Sequence, residues 1–456
     1  MSNSSHPQQM ADEALALALA ELKRAGVAGE AGAGRAEAWK AQIRLGEIEQ
    51  VEGSTTRALR VTALAAGGRR GSASTSELSS EAVRACTAKA VELASFGDAD
   101  PWVGLPPAEE CGQAGGDLAT DDPAYAALDR DALLQSTIRA ERIALDADPR
   151  ISNAHRSSVR ASRAEHWYGS TDGVRVHRVG TVFGYSVTVV ARDANGERQT
   201  GGYGSHARHL NELWSPDEVG REAGARAVRW YGWRTPPNGP FPVVFHHEAA
   251  SDLLGTLISA ISGGAVYRGS TYLANRLGTP VASDLITVVD DPLIPRASGS
   301  RPCDGEGVRS RRTTLVDAGR LNSFLVDGYA ARRLSHPYTG HDGGATNVRL
   351  LPGTVAPAEL LTAMGTGLLI HDLHGFGIDL VSGTYSRGVS GFWVENGIIA
   401  YPVQEATIAA NLNDVLAGIR LVGNDPLPQS SISSPSLLID GFTIASNTGT
   451  DRSRSA

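Results

Sequence analysis

Hydrophobic positions along the chain change their period several times, and those changes divide it into three blocks. The first opens with ADEALALALAELKRAG, where apolar residues recur every three to four positions and predict an amphipathic helix. Two or three strands are expected around RALRVTALAAGGRRGSAS, with Gly67 and Gly68 suited to a hairpin turn, followed by a helix over SSEAVRACTAKAVELA. Residues 1–105 therefore read as an α+β segment. The stretch ADPWVGLPPAEECGQAGGDLATDDP, rich in proline, glycine and acid with no apolar period, marks a boundary.

The second block, 106–233, is also α+β. A helix over DRDALLQSTIRAERIAL precedes β-branched and aromatic runs in VRVHRVGTVFGYSVTVVARDANGERQTGGYG, where Asn195-Gly196 predicts a tight reversal. Ser215-Pro216-Asp217-Glu218 supplies an N-cap, a first-turn proline and a glutamate at the third position, a capping box that starts the closing helix. WRTPPNGP then breaks the chain. The third block, 234–446, opens with the strand FPVVF and the apolar helix HHEAASDLLGTLISAIS, and the polar tail 447–456 is expected to be disordered. No heptads, tandem repeats or long low-complexity tracts stand out. The fold class is α+β and two-lobed, with an N-terminal α+β lobe from the first two blocks and a strand-rich C-terminal lobe.

Composition narrows the function. At 456 residues with 41% hydrophobic content the chain can bury more than one core, and a net charge of -8 argues against a general binder of nucleic acid or anionic membranes. Cys86, Cys111 and Cys303 are too few and too scattered for a disulfide framework, which fits a reducing compartment. The N-terminus lacks the pattern of a signal peptide, and no window approaches the roughly 18 to 20 apolar residues of a membrane span. A soluble, cytoplasmic protein is expected.

Candidate chemistry centres on HHEAASDLLGTL, residues 246–257. Zinc helices of the His-Glu-x-x-His kind place two histidines on one face, with the glutamate beside the metal-bound water. Here the fourth residue after His247 is Ser251 and the fifth is Asp252. The plain alternative makes His247 and Glu248 capping or hydrogen-bonding residues at the start of a core helix. His371 and His374 in IHDLHGFG read as strand or loop, His336 and His341 as a surface loop, and His206 and His209 carry no motif. Cys303, with Asp304 and Glu306 nearby, reads as a small buried residue. The stretches GGATNVRL and SGGAVYRGS lack the lysine and order of a phosphate loop, and suit tight packing or edge pairing with an extended peptide.

HHEAASD, ISGGAVYRGSTYL, CDGEGVRSRRTTLVDAGRLNSFLVDGYAARRL, TGHDGGATNVRL, MGTGLLI, SGTYSRGVSGFWVENGIIAYPVQEATIAANLNDVL and VGNDP follow one another in an order that resembles the C-terminal domain of the TldD/PmbA metallopeptidases. Within that family the chain is similar to the PmbA branch, also called TldE. The resemblance implies a division of labour. In the TldD branch a His-Glu-x-x-x-His helix and a distant cysteine hold zinc; here those positions fall on His247, Glu248 and Asp252, and the C-terminal stretch SSISSPSLLIDG has no cysteine. His247, Glu248 and Asp252 are thus motif-equivalent positions of a vestigial site, with no metal expected in this chain. A TldD-like partner would supply zinc, and the heterodimer would degrade or process unfolded peptides. The rivals are a self-sufficient metal-dependent peptidase and a non-enzymatic modulator that binds a toxin, antitoxin or gyrase-type partner.

Overall fold

The computed structural model describes residues 5–446, so the tail 447–456 lies outside the described residues. The first lobe is built from α1 (Ser5–Arg24), β1 (Ala28–Arg44), β2 (Glu47–Ala65), β3 (Arg69–Thr75), α2 (Ser80–Phe96), α3 (Arg130–Asp146), β4 (Ile151–Ser170), β5 (Arg175–Arg192), β6 (Arg198–Ala207) and α4 (Pro216–Val228). Its strands form one antiparallel sheet in the order β3-β2-β1-β4-β5-β6. The element order helix, three strands, helix therefore occurs twice, and the halves meet where β1 pairs with β4.

That duplication is a correction to the sequence reading, which found no repeat. Its trace is the pair of five-residue words Arg35-Ala36-Glu37-Ala38-Trp39 and Arg163-Ala164-Glu165-His166-Trp167. They lie opposite one another, with Ala36 facing Ala164, Arg35 facing Glu165 and Glu37 facing Arg163. Each half also closes in the same way. A Cβ on Gly71 of β3 would sit 2.2 Å from the Ala94 nitrogen of α2, and one on Gly201 of β6 would sit 2.1 Å from the Ala227 nitrogen of α4. Only glycine admits helices that close.

Side chains alternate across the sheet. Val159, Ala161 and Trp167 of β4 are buried in the cores that the helices cover. The intervening Ser158, Ser162 and His166 point to the opposite face, part of which meets the second lobe. The turn chemistry follows the sequence: Gly67, Gly68 and Gly196 take positive φ, and Ser215 and Glu218 form the full capping box of α4.

The second lobe runs through β7 (Gly239–Phe245), α5 (His247–Ala260), α6 (Gly263–Tyr267), β8 (Val288–Asp290), β9 (Thr313–Asp317), β10 (Arg320–Leu321), α7 (Gly328–Leu334), β11 (Val348–Leu350) and α8 (Pro357–Met364). It continues with β12 (Gly367–Asp379), β13 (Thr384–Glu395), β14 (Ile398–Asn411), α9 (Leu412–Ala417), β15 (Ile419–Val422), β16 (Ile432–Ser433) and β17 (Leu437–Ser446). Strands β14, β13, β12, β7 and β17 are neighbours in that order, and β17 pairs back onto β14, so the sheet closes like a barrel. A five-stranded sheet, β10-β9-β8-β11-β16, lies beside it. The apolar side of α5 joins both: Leu253 and Leu257 share one core with Val243 and Phe245 of β7, Val288 of β8 and Leu350 of β11. Burial on this scale contributes about 1.5 to 3 kcal/mol per large side chain, so α5 is fixed in place. Among the described residues no helix is long and apolar enough to cross a membrane.

Candidate functional site

The first turn of α5 emerges from the end of β7 and faces the first lobe. His246 occupies the N-cap, and among the described residues its side chain makes no capping hydrogen bond. Its ring instead lies between that of His247, tilted at a centroid distance of 3.9 Å, and that of His371 of β12, stacked at 4.1 Å. Trp230, just past α4, meets His371 edge-on at 6.2 Å. Burial pushes the His246 imidazole down to about 4 and that of His371 down to about 2, so both stay neutral at physiological pH. Among the described residues, the Nδ1 atoms of His246 and His371 are buried without a hydrogen-bond partner.

Each motif-equivalent side chain has its own partner. His247 Nδ1 lies 3.1 Å from the Asp425 carbonyl oxygen and 3.4 Å from its carboxylate. Glu248 accepts a 2.6 Å hydrogen bond from Arg226 Nη2, on α4 of the other lobe. Arg226 also donates through Nε to Glu222 at 2.7 Å, and its guanidinium covers the Tyr203 ring at 4.4 Å. Burial raises the proton affinity of Glu248, but Arg226 outweighs it and holds the carboxyl below its ordinary range. Asp252 faces Arg387 of β13, whose Nη1 is 3.3 Å from the carboxylate and whose Nε donates to the His374 carbonyl.

This donor set does not fit a zinc ion. A site needs convergent lone pairs, whereas the two carboxylates here already accept from separate guanidiniums, and among the described residues no group of three or more His, Cys, Asp or Glu side chains is placed to hold a metal. The C-terminal serine stretch reaches α5, because the Ser434 amide donates to Ser251 Oγ at 2.9 Å. The partners Arg226, Arg387 and Asp425 escaped the sequence reading. They come from α4, β13 and the loop after β15, and no local spacing announces them.

Other histidines fall elsewhere. His374 lies on β12 and bonds Ser390 Oγ at 2.9 Å. His341, expected on a surface loop, is buried, with Nε2 2.6 Å from Asp290 Oδ2 and the Thr346 hydroxyl bonding the same carboxylate. The reason is the closure of loop 341–346 over the end of β8. His209 bonds the Ala119 carbonyl at 2.7 Å, and His336 the Pro337 carbonyl at 2.8 Å, both loop-fixing roles; His206 is exposed on β6. Cys303 is fully buried, and burial raises its thiol to about 11, so it is a weak nucleophile at neutral pH.

Comparison with known proteins adds to the geometry. Three family models match in sequence: PmbA/TldA metallopeptidase domain 1 over residues 31–94, the central domain over 126–229 and the C-terminal domain over 238–446. The chain is 35% identical over 402 residues to the metalloprotease PmbA of Escherichia coli O157:H7, covering 88% of each chain. It is 32% identical to the metalloprotease PmbA homolog of Haemophilus influenzae, covering 96% of this chain and 97% of that one. The crystal structure of TldE from Thermococcus kodakarensis has the same fold, with a TM-score of 0.83 at 20% identity over 96% of this chain and all of that one. With matches that run through both lobes and include the α5 turn, the chain belongs to the PmbA/TldD family of metallopeptidases, on its PmbA branch.

Proposed function

We propose that this chain is the TldE-like subunit of a heterodimeric metallopeptidase, in which a TldD-like partner holds zinc and activates water and this chain binds and guides unfolded peptide. The observation that supports the reading most is the pairing of Glu248 with Arg226 at 2.6 Å. A general base must accept a proton from metal-bound water, and a carboxylate already held by a guanidinium is a poor acceptor. Asp252, held by Arg387, is in the same position as a ligand. The chain's own residues would then contribute shape and backbone contacts, while peptide-bond cleavage takes place on the partner.

Metal analysis and a peptidase assay, on this chain alone and after mixing with a TldD-like chain, test the reading. Co-purification of the two, with zinc and activity only in the mixture, is the expected result. Stoichiometric zinc together with turnover from the isolated chain would overturn it.

A further inference from the structure

A cavity of about 340 Å³ lies between the lobes, on the face of the six-stranded sheet away from its helices. Its floor comes from β4 and β5, and its far wall from residues 298–302 of the second lobe. Arg178 of β5, Arg208 just past β6, Arg301 of the far wall and His166 of β4 all line it. Among the described residues, none of the three arginines has a carboxylate within 4.0 Å. Asp304, Asp290 and Asp342 act on Arg301 only from beyond that distance.

The three guanidiniums are not equally occupied. Arg208 is a clamp, donating to the carbonyls of Ala297 at 3.1 Å, Ser298 at 2.8 Å and Ser300 at 3.2 Å. Arg301 Nη2 donates to the Gly344 carbonyl at 2.6 Å and to that of Gly340 at 3.4 Å, but among the described residues its Nε is buried without a partner. Arg178 has one long contact, 3.5 Å to the Cys303 carbonyl. Burial and then the charge of Arg178 hold both Arg208 and His166 below their ordinary proton affinities. Holding a loop explains Arg208; it does not explain Arg178, whose hydrogen bonding among the described residues is that one long contact and whose charge reaches Asp342 only from beyond ion-pair distance.

We propose that this cavity is an oxyanion site, in which a carboxylate or phosphate group accepts hydrogen bonds from Arg178 and from Arg301 Nε. Arginine forks match the paired oxygens of both groups, and desolvated walls strengthen the attraction. The same sheet face continues along β4, β5 and β6 into a shallow depression of about 380 Å³, where Ser158, Gly184, Ser186 and Gly204 lie between the larger Arg160 and His206. Small side chains leave room there for an extended chain. If the chain is a peptide-binding subunit, the anion is the terminal carboxylate of a polypeptide lying in this trough. That choice of source rests on the proposed function; the oxyanion site does not.

The test uses this chain alone, without partner or turnover, so its failure is separable from failure of the subunit reading. Thermal unfolding and calorimetry are followed in low-salt buffer with inorganic phosphate, an unstructured peptide bearing a free C-terminus, and the same peptide amidated. The expected result is a rise in Tm with free-carboxylate peptide, at least tenfold weaker binding of the amide, and displacement of the peptide by phosphate. Arg178→Gln should abolish the anion-dependent rise while leaving Tm in anion-free buffer unchanged or higher, and Arg178→Lys should retain weakened binding. Phosphate binding without carboxylate binding supports the site and assigns it to a phosphorylated ligand. A wild-type chain that responds to neither anion overturns the proposal, as does a folded Arg178→Gln variant that responds fully; the wild-type arms decide even where a variant does not fold.

Discussion

The start of α5 and the cavity between the lobes both gather charged side chains in sheltered surroundings, and they differ in how those charges are answered. At α5 each acid has a cation in contact: Glu248 has Arg226, and Asp252 has Arg387. Among the described residues, Arg178 and Arg301 between the lobes have no carboxylate within 4.0 Å, and the buried Glu306 carboxyl accepts from the Gly328 amide with no cation within that distance. Sheltered charges cost several kcal/mol unless they are paired, so a matched set needs nothing more, while an unmatched set is held by the fold against its own electrostatics. Unmatched charge of this kind concentrates at binding sites.

The comparison is broken most strongly through Glu306. Burial pushes its carboxyl up to about 8, with Asp342 and Asp304 adding to the effect. A carboxyl raised in the folded state adds stability below its unfolded value near 4.5, and that contribution is lost as pH rises towards 8. Glu306→Gln should therefore match wild type in urea denaturation near pH 4.5 and exceed it by about 2 to 4 kcal/mol at pH 9. Equal stability at both pH values would remove Glu306 from the unmatched set.

Arg226→Ala attacks the matched set. It leaves Glu248 without its cation, while Glu222 keeps Arg229 at 3.0 Å, and a loss of about 2 to 4 kcal/mol is expected by chemical denaturation. A loss below about 1 kcal/mol would mean that solvent already screens the pair. Glu248→Gln keeps the shape and removes the charge. Helix-dipole considerations alone suggest about 0.3 to 1 kcal/mol, and the ion pair to Arg226 raises the expected loss to about 1 to 2 kcal/mol. In a reconstituted complex the same variant should keep turnover within a few-fold; abolished turnover in a complex that still assembles would sink the proposed division of labour. Asp252 is 45% exposed at its side chain, so Asp252→Asn should cost no more than about 1 kcal/mol. Asp252→His restores a second histidine without a third ligand, and should give at most weak zinc uptake by calorimetry and no peptidase activity.

Much of the α5 turn was legible because its residues are neighbours in sequence. The strand FPVVF, the apolar helix and the capping box of α4 all rest on local periods and turn chemistry. Strand β1 was not legible. Only Trp39 and Ile43 near its end are large apolar residues on the buried face; the first half buries Ala31 and Ala33 in an Ala-Gly alternation, which carries little strand propensity. The duplication stayed hidden for the same reason, since two halves can keep one fold while sharing few residues beyond a five-residue word. Arg226 and Arg387 lie 22 and 135 residues from the acids they hold, so only the folded chain brings them together.

The seam between β1 and β4 has a further meaning for how such a lobe assembles. Fourteen residue pairs, from Glu30 with Ser170 to Ile43 with Ser157, join halves that are otherwise complete helix-strand units. In form this is the isologous contact of a symmetric dimer, with Ala36 and Ala164 at its axis, tied into one polypeptide by the 97–129 connection. Cutting the lobe there would expose two long, unprotected strand edges, each a template for its own kind as well as for its sister. The covalent link keeps the two edges at high effective concentration, so they meet each other before they meet a stranger.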